Sequence, residues 1–234
     1  MSSLLDQYNE KKKKRIEINI SYAEKGVEFV DIENVYIDEG AKIGKGTLIE
    51  PGVTIDGESI IGEDCVIGQS SEIRKSQIGN KTNVKHSVII ESTVGNETNV
   101  GPFAYMRPGS KVGNKCKVGD FVEIKNSVMD DGSKASHLTY IGDSDIGKNV
   151  NLGCGVVFVN YDGREKHRST VGDNAFIGCN ANIVSPVEVS ENSYISAGST
   201  VTKNVPEGSL YIERSKARII EGWVKKRGLI KPGK

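Results

Sequence analysis

Aliphatic residues recur in this chain at every sixth position, and that spacing restricts the fold more than any other feature. Ile37, Ile43, Ile49, Ile55, Ile61, Ile67 and Ile73 form one unbroken run. Val94, Val100, Met106, Val112, Val118 and Ile124 form a second, and Val171, Ile177, Ile183, Val189, Ile195 and Val201 a third. A step of six suits neither a helix, with its period of 3.6, nor a lone strand of period two. It suits a solenoid in which three short strands and three turns make one coil. Each aliphatic side chain then points into a triangular prism. It stacks on its counterpart 18 residues on, about 4.8 Å away along the axis.

The residue after the aliphatic is often glycine, which would supply a tight corner. The fourth place after it is small: Thr47, Val53, Ser59, Cys65, Ser71, Cys116 and Ala175. Cys65 and Cys116 thus read as packing residues. One coil cannot bury its own interior, but eight or nine stacked coils can, so the expected core is a rod of Ile and Val. The expected class is all-β, a parallel β-helix over residues 28–205. A polar connector helix within 1–27 precedes it and an arm, 206–234, follows. Five-residue steps interrupt the frame between Ile73 and Ile78, Ile124 and Met129, and Ile141 and Ile146. A larger excursion, "VNYDGREKHRST", reads as a loop extruded over 159–170, the kind of insertion that carries binding residues in a solenoid.

Charge and composition exclude several functions. Basic and acidic residues balance at 31 each, so no global field draws nucleic acid or an anionic membrane. The basic run "KKKKR" lacks aromatic interleaving and reads as a solvated helix. No apolar run approaches the roughly 18 residues of a membrane span. The N-terminus offers no signal-peptide core. Cys65, Cys116, Cys154 and Cys179 show neither disulfide nor zinc spacing, which fits reduced thiols in a cytoplasmic protein. The arm carries the only tryptophan, Trp223, and six Lys or Arg between Arg214 and Arg227, with Lys231 and Lys234 beyond. Such a segment would dock on its own chain or on a neighbour.

Residues that the repeat does not need gather in the middle of the chain. Arg107 and Lys125 each follow an in-frame aliphatic and lie one coil apart. They should stack on one corner, where two adjacent cations would repel unless a phosphate relieved them. His137 stands two hexads after Lys125, with Tyr140 and Asn151 in the next hexads and Lys166 in the extruded loop. Histidine can take a proton from an amine or hydroxyl near neutral pH. No second histidine stands at ligand spacing, so no metal is expected. Asp143 and Asp145 read as corner caps, and His86 and His167 as surface histidines.

The segments "GPFAYMRPGSKVG", "VGDFVEIKNS", "GSKASHLTYIGDSDIGKNVNLGCG", "NYDGREKH" and "EGW" resemble the acetyltransferase half of the bifunctional GlmU enzymes, from about residue 16 to Trp223. The resemblance implies a left-handed β-helix that forms a homotrimer, with active sites at subunit junctions and the arm reaching across. It implies transfer of the acetyl group of acetyl-CoA to glucosamine 1-phosphate, on the way to UDP-N-acetylglucosamine and cell-wall precursors. By the same resemblance, Arg107, Lys125, Tyr140, Asn151 and Lys166 hold the sugar phosphate and His137 is the general base. The backbone N–H of Cys154 is the oxyanion donor, and Asn160, Tyr161, Cys179, Ala197 and Arg214 line the acetyl-CoA site. Cys154 and Cys179 stand where the family commonly has alanine and serine; the second change could remove a hydroxyl contact with the coenzyme. Nothing resembles the family's nucleotidyltransferase half. The expectation is a freestanding second half, or a piece of a longer chain, unable to use UTP. A non-catalytic module for a separate nucleotidyltransferase chain, and an acyltransferase of another phosphorylated sugar, are the alternatives.

Overall fold

The computed structural model describes residues 3–229; Lys231 and Lys234 lie outside them. Thirty strands, most of them only two residues long, pair in parallel into sheets of 11, 10 and 9 strands. The chain runs from a strand of sheet A around a corner to sheet B, then sheet C, then back to sheet A one coil further on. Strands this short hold no structure alone. They persist because each aliphatic side chain enters the prism: Ile49, Ile55, Ile67, Ile73, Met106, Ile124, Ile141, Ile177 and Ile195 are fully buried. The coils outnumber the expected eight or nine because the frame also continues through Ile78, Val84 and Ile89, where two further five-residue steps, Val84 to Ile89 and Ile89 to Val94, hide the period. Sheet A gains a last strand, Leu210–Tyr211, past Val205.

The interval between stacked residues varies with these steps. Ile37 pairs Ile55 at 18 residues, Ile73 pairs Ile89 at 16, and Ile146 pairs Val171 across the extruded loop at 25. The corners explain how the coil absorbs the change. In six-residue steps the left-handed residue stands three places after the aliphatic, as at Asp64 and Asn149 (φ 55° and 54°). In five-residue steps it stands two places after, as at Asn126 and Asp143 (φ 47° and 48°).

The glycines that follow the aliphatic do not make these corners, contrary to the expectation from sequence. All but Gly101 (φ 98°) keep ordinary φ, and they are needed because coils approach closely: a Cβ on Gly119 would lie 1.9 Å from the Ser136 carbonyl oxygen. The small fourth-place residues are buried as expected. Several link the coils by hydrogen bonds: the Cys65 thiol donates to the Gly79 carbonyl, and the Cys116 thiol to that of Asp130, each at 3.1 Å.

Helix α1, Leu4–Ala23, opens with a Ser3–Asp6 capping box and lies across the first coil. Buried Asn19 donates to the Ile32 and Val35 carbonyls, and the Tyr22 hydroxyl donates to that of Ala41. The basic run serves this docking. Lys12 and Lys14 pair with Glu33 and Glu39, and the Arg15 guanidinium covers the Tyr36 ring at 4.3 Å. At the other end the chain leaves the prism after Tyr211 as an exposed arm with one short helical turn, Trp223–Lys226. Among the described residues, no helix is long and apolar enough to cross a membrane.

Candidate active site

Two corners of the prism carry the residues that the repeat does not need. The corner from sheet B to sheet C holds the cations. Arg107 and Lys125 are in register as expected, since the strands Tyr105–Met106 and Glu123–Lys125 pair. Their side chains are not left to repel each other, however. Arg107 Nη1 donates to Glu123 at 2.9 Å, and Lys125 Nζ donates to Asp143 at 2.9 Å. The expected unrelieved pair is therefore corrected: each cation has its own carboxylate.

Asp143, a corner cap by its place in the sequence, is instead the hub of this cluster. It is buried, and it accepts hydrogen bonds from Lys125, Asn126 and Asn160. Burial pushes its carboxyl up, but those hydrogen bonds and the Lys125 charge outweigh burial and hold it below the ordinary carboxylate value. Burial likewise works against the Lys125 ammonium, and Asp143 overcomes it, so Lys125 titrates above the ordinary lysine value. The close approach of two cations occurs instead between Lys125 and Lys166. Contact with Lys125 and its charge lower the Lys166 ammonium below the usual range, and Arg107 adds to the effect. Tyr140 Oη lies 3.5 Å from Asn160 Nδ2, over the backbone of Gly142.

The extruded loop brings Lys166 to this corner. Tyr161 and Lys166 form an antiparallel bridge. Asp162 closes the turn by accepting from the backbone of Arg164 and Glu165 and from His167 Nε2, bonds that hold its carboxyl far below the usual range. Arg168 fastens the far end of the loop to Asp145 and to the Asn126 carbonyl. Asp145 is thus a loop anchor, not a cap.

The corner from sheet A to sheet B carries His137, the last residue of Lys134–His137. Its ring lies outside the prism, with the side chain 53% exposed, and Nδ1 is 2.5 Å from Asp120 Oδ1. A column of backbone hydrogen bonds continues the line. Gly155 N–H donates to the His137 carbonyl, Asn180 to Cys154, and Gly198 to Cys179. Asp120, His137, Cys154, Cys179 and Ala197 therefore follow one another up a single edge. Among the described residues, nothing accepts from the backbone N–H of Cys154.

The sequence-derived residues are thus divided within one chain. Arg107, Lys125, Tyr140, Asn160 and Lys166 meet at the B/C corner, with Tyr161 exposed on the same loop. His137, Cys154, Cys179 and Ala197 share the A/B corner, across the width of sheet B. Asn151 faces outward on sheet A between Lys134 and Phe176, and Arg214 is exposed in the arm. Phe103 and Phe121 stack at 5.4 Å beside the His137 edge, with exposed Leu138 next in the same corner. Sequence reasoning missed Asp143, Asp120 and Glu123. Coil arithmetic would have found the first two, since Asp143 stands 18 residues after Lys125 and Asp120 stands 17 before His137. Among the described residues, no three His, Cys, Asp or Glu side chains gather as a metal site.

The family model for the GMPPB C-terminal domain matches residues 31–101, and that for the bacterial transferase hexapeptide (six repeats) matches residues 168–203. The bifunctional protein GlmU of Acetivibrio thermocellus is 54% identical over 209 residues, 89% of this chain and 45% of that protein. GlmU of Clostridioides difficile is 54% identical over 213 residues, 91% and 46%. A solved UDP-N-acetylglucosamine acyltransferase from Campylobacter jejuni shares 15% identity over 76% of this chain and 69% of that one, with a TM-score of 0.47.

The class is therefore the hexapeptide-repeat left-handed parallel β-helix. Within it, the chain is similar over about nine-tenths of its own length to the bifunctional GlmU proteins. The chain spans about half the length of the curated relatives it matches.

Proposed function

We propose that this chain transfers the acetyl group of acetyl-CoA to the amine of glucosamine 1-phosphate, in a homotrimer whose sites form between copies. The observation that carries the reading is the pairing of chemistries on the two corners. One corner gathers Arg107, Lys125 and Lys166, where Lys166 adds a cation to the two already paired with Glu123 and Asp143, an arrangement suited to a phosphate. The other is an exposed imidazole beside an unengaged backbone N–H, suited to proton transfer and to an oxyanion. Sheet B separates them in one chain, so the A/B corner of one copy must meet the B/C corner of the next. The exposed Phe103, Phe121 and Leu138 edge gives that contact an apolar seam.

In this reading the sugar amine attacks the thioester carbonyl carbon, forming the N–C bond. His137 takes the amine proton through Nε2, and the Cys154 N–H holds the oxygen of the tetrahedral intermediate. The C–S bond then breaks, and His137 returns the proton to the departing thiolate. Asn160, Tyr161, Cys179, Ala197 and Arg214 line the coenzyme in this scheme, and Asn151 and Tyr140 orient the sugar.

Acetyl-CoA and glucosamine 1-phosphate, mixed with the folded protein, should release free CoA thiol. Replacing His137 with Ala should lower turnover by roughly 10²–10⁴ while leaving the KM for the sugar nearly unchanged. Absence of thiol release from a folded trimer overturns the reading.

A further inference from the structure

We propose that Asp120 is a positioning residue that holds His137 with its proton on Nδ1 and leaves Nε2 free to accept another. The inference rests on His137 acting as the base in the reading above. The strands Lys117–Asp120 and Lys134–His137 pair in register to their last residues, with Asp120 opposite His137. The approach is built into the backbone, because the coils meet at Gly119 more closely than any side chain would permit. The Asp120 carboxylate accepts hydrogen bonds and cannot donate one while ionised. At 2.5 Å from Nδ1 it therefore selects the tautomer with hydrogen on Nδ1. The hydrogen bond to His137 in turn holds the Asp120 carboxyl below the ordinary carboxylate value, so it stays an acceptor across the working range.

The consequence is chemical. A neutral imidazole with no partner favours the proton on its other nitrogen, Nε2, which here is the nitrogen turned away from Asp120. In that form the outward nitrogen has no lone pair for the amine proton. Asp120 corrects the tautomer, fixes the ring plane and stabilises the imidazolium that forms when Nε2 is protonated, while itself remaining ionised, as the carboxylate does beside other catalytic histidines. No bond to Asp120 forms or breaks during the transfer.

Long-range ¹H–¹⁵N spectra of the full chain without substrate read the tautomer directly. The chain has three histidines, and His137→Gln identifies the signal in question. The expected wild-type state is hydrogen on Nδ1. Asp120→Ala should move the population to the Nε2–H form and lower kcat by about 10–100-fold, with the KM of both substrates kept. Asp120→Asn retains an acceptor oxygen and should restore the Nδ1–H form and most of the rate; it also serves if the alanine variant misfolds. A wild-type ring protonated on Nε2, or a tautomer indifferent to both substitutions, overturns the proposal. If the tautomer follows Asp120 but His137→Gln still transfers acetyl groups at the full rate, the positioning contact stands and the assignment of the base falls.

Discussion

Lys125 keeps its charge under burial because Asp143 lies 2.9 Å away, and Asp143 keeps its own because Lys125, Asn126 and Asn160 all donate to it. The two side chains are only 16% and 8% exposed, so removing one leaves the other's charge stranded. Asp143→Ala should cost about 3–5 kcal/mol of stability, the usual result of breaking a buried pair, measured by denaturant unfolding. Its pH dependence follows from the lowered carboxyl of the folded state. The stabilisation is present above the unfolded-state pKa of about 3.9 and is lost as pH falls through the lower folded value. The acid-unfolding limb should therefore flatten in Asp143→Ala relative to the wild-type chain; an unchanged acid limb contradicts the assignment. Arg107, Lys125 and Lys166 were legible in the sequence because they stand at in-frame places or in the one long insertion. Asp143 was not, because alternation with Asp145 suggested two solvated caps. A five-residue step places it in a left-handed corner at φ 48°, where its carboxylate reaches back to the coil before.

The element that positions His137 is the strand pair Lys117–Asp120 and Lys134–His137, at four residues each the longest strands of the prism. Gly119 lets these strands close. Gly119→Ala would set a methyl group 1.9 Å from the Ser136 oxygen, and backbone cannot swing aside as a side chain tip can. The expected loss is about 1–3 kcal/mol, as for other overpacked sites, read as a lower Tm, together with reduced turnover because Asp120 and His137 are forced apart. Wild-type stability in this variant would contradict the close approach. The repeat showed where most strands lie, since the in-frame aliphatics are the buried ones. It did not show why glycine follows them. Position alone suggested a turn, while the neighbouring coil, invisible in a linear reading, supplies the steric reason.

At the scale of the whole molecule, the prism keeps the two polar corners apart, one at either edge of sheet B. The periodicity foretold its three-sided, parallel architecture, and the insertion and three of the five-residue steps foretold where the coil interval changes, while the steps on either side of Ile89 escaped it. What it could not show is which corner each polar residue occupies. Residues close in the chain, such as His137 and Asp143, are sent to opposite edges of sheet B by the turn between them. Residues far apart, such as His137 and Ala197, fall on one edge. The exposed arm beyond Tyr211, with Ile219 at 88% and Trp223 at 44% exposure, and the apolar edge of Phe103 and Phe121 are surfaces that a cyclic assembly would cover.

Mixed assembly tests this division most directly. In the proposed function, His137→Ala removes the base and Arg107→Ala with Lys166→Ala removes the phosphate contacts, so each preparation alone should release little CoA thiol. Unfolded together and refolded as mixed trimers, they should recover activity at about a quarter of the sites, where an intact edge from one copy faces an intact edge from the next. Thiol release no greater than the sum of the separate preparations, from trimers shown to be mixed, would contradict a site shared between copies.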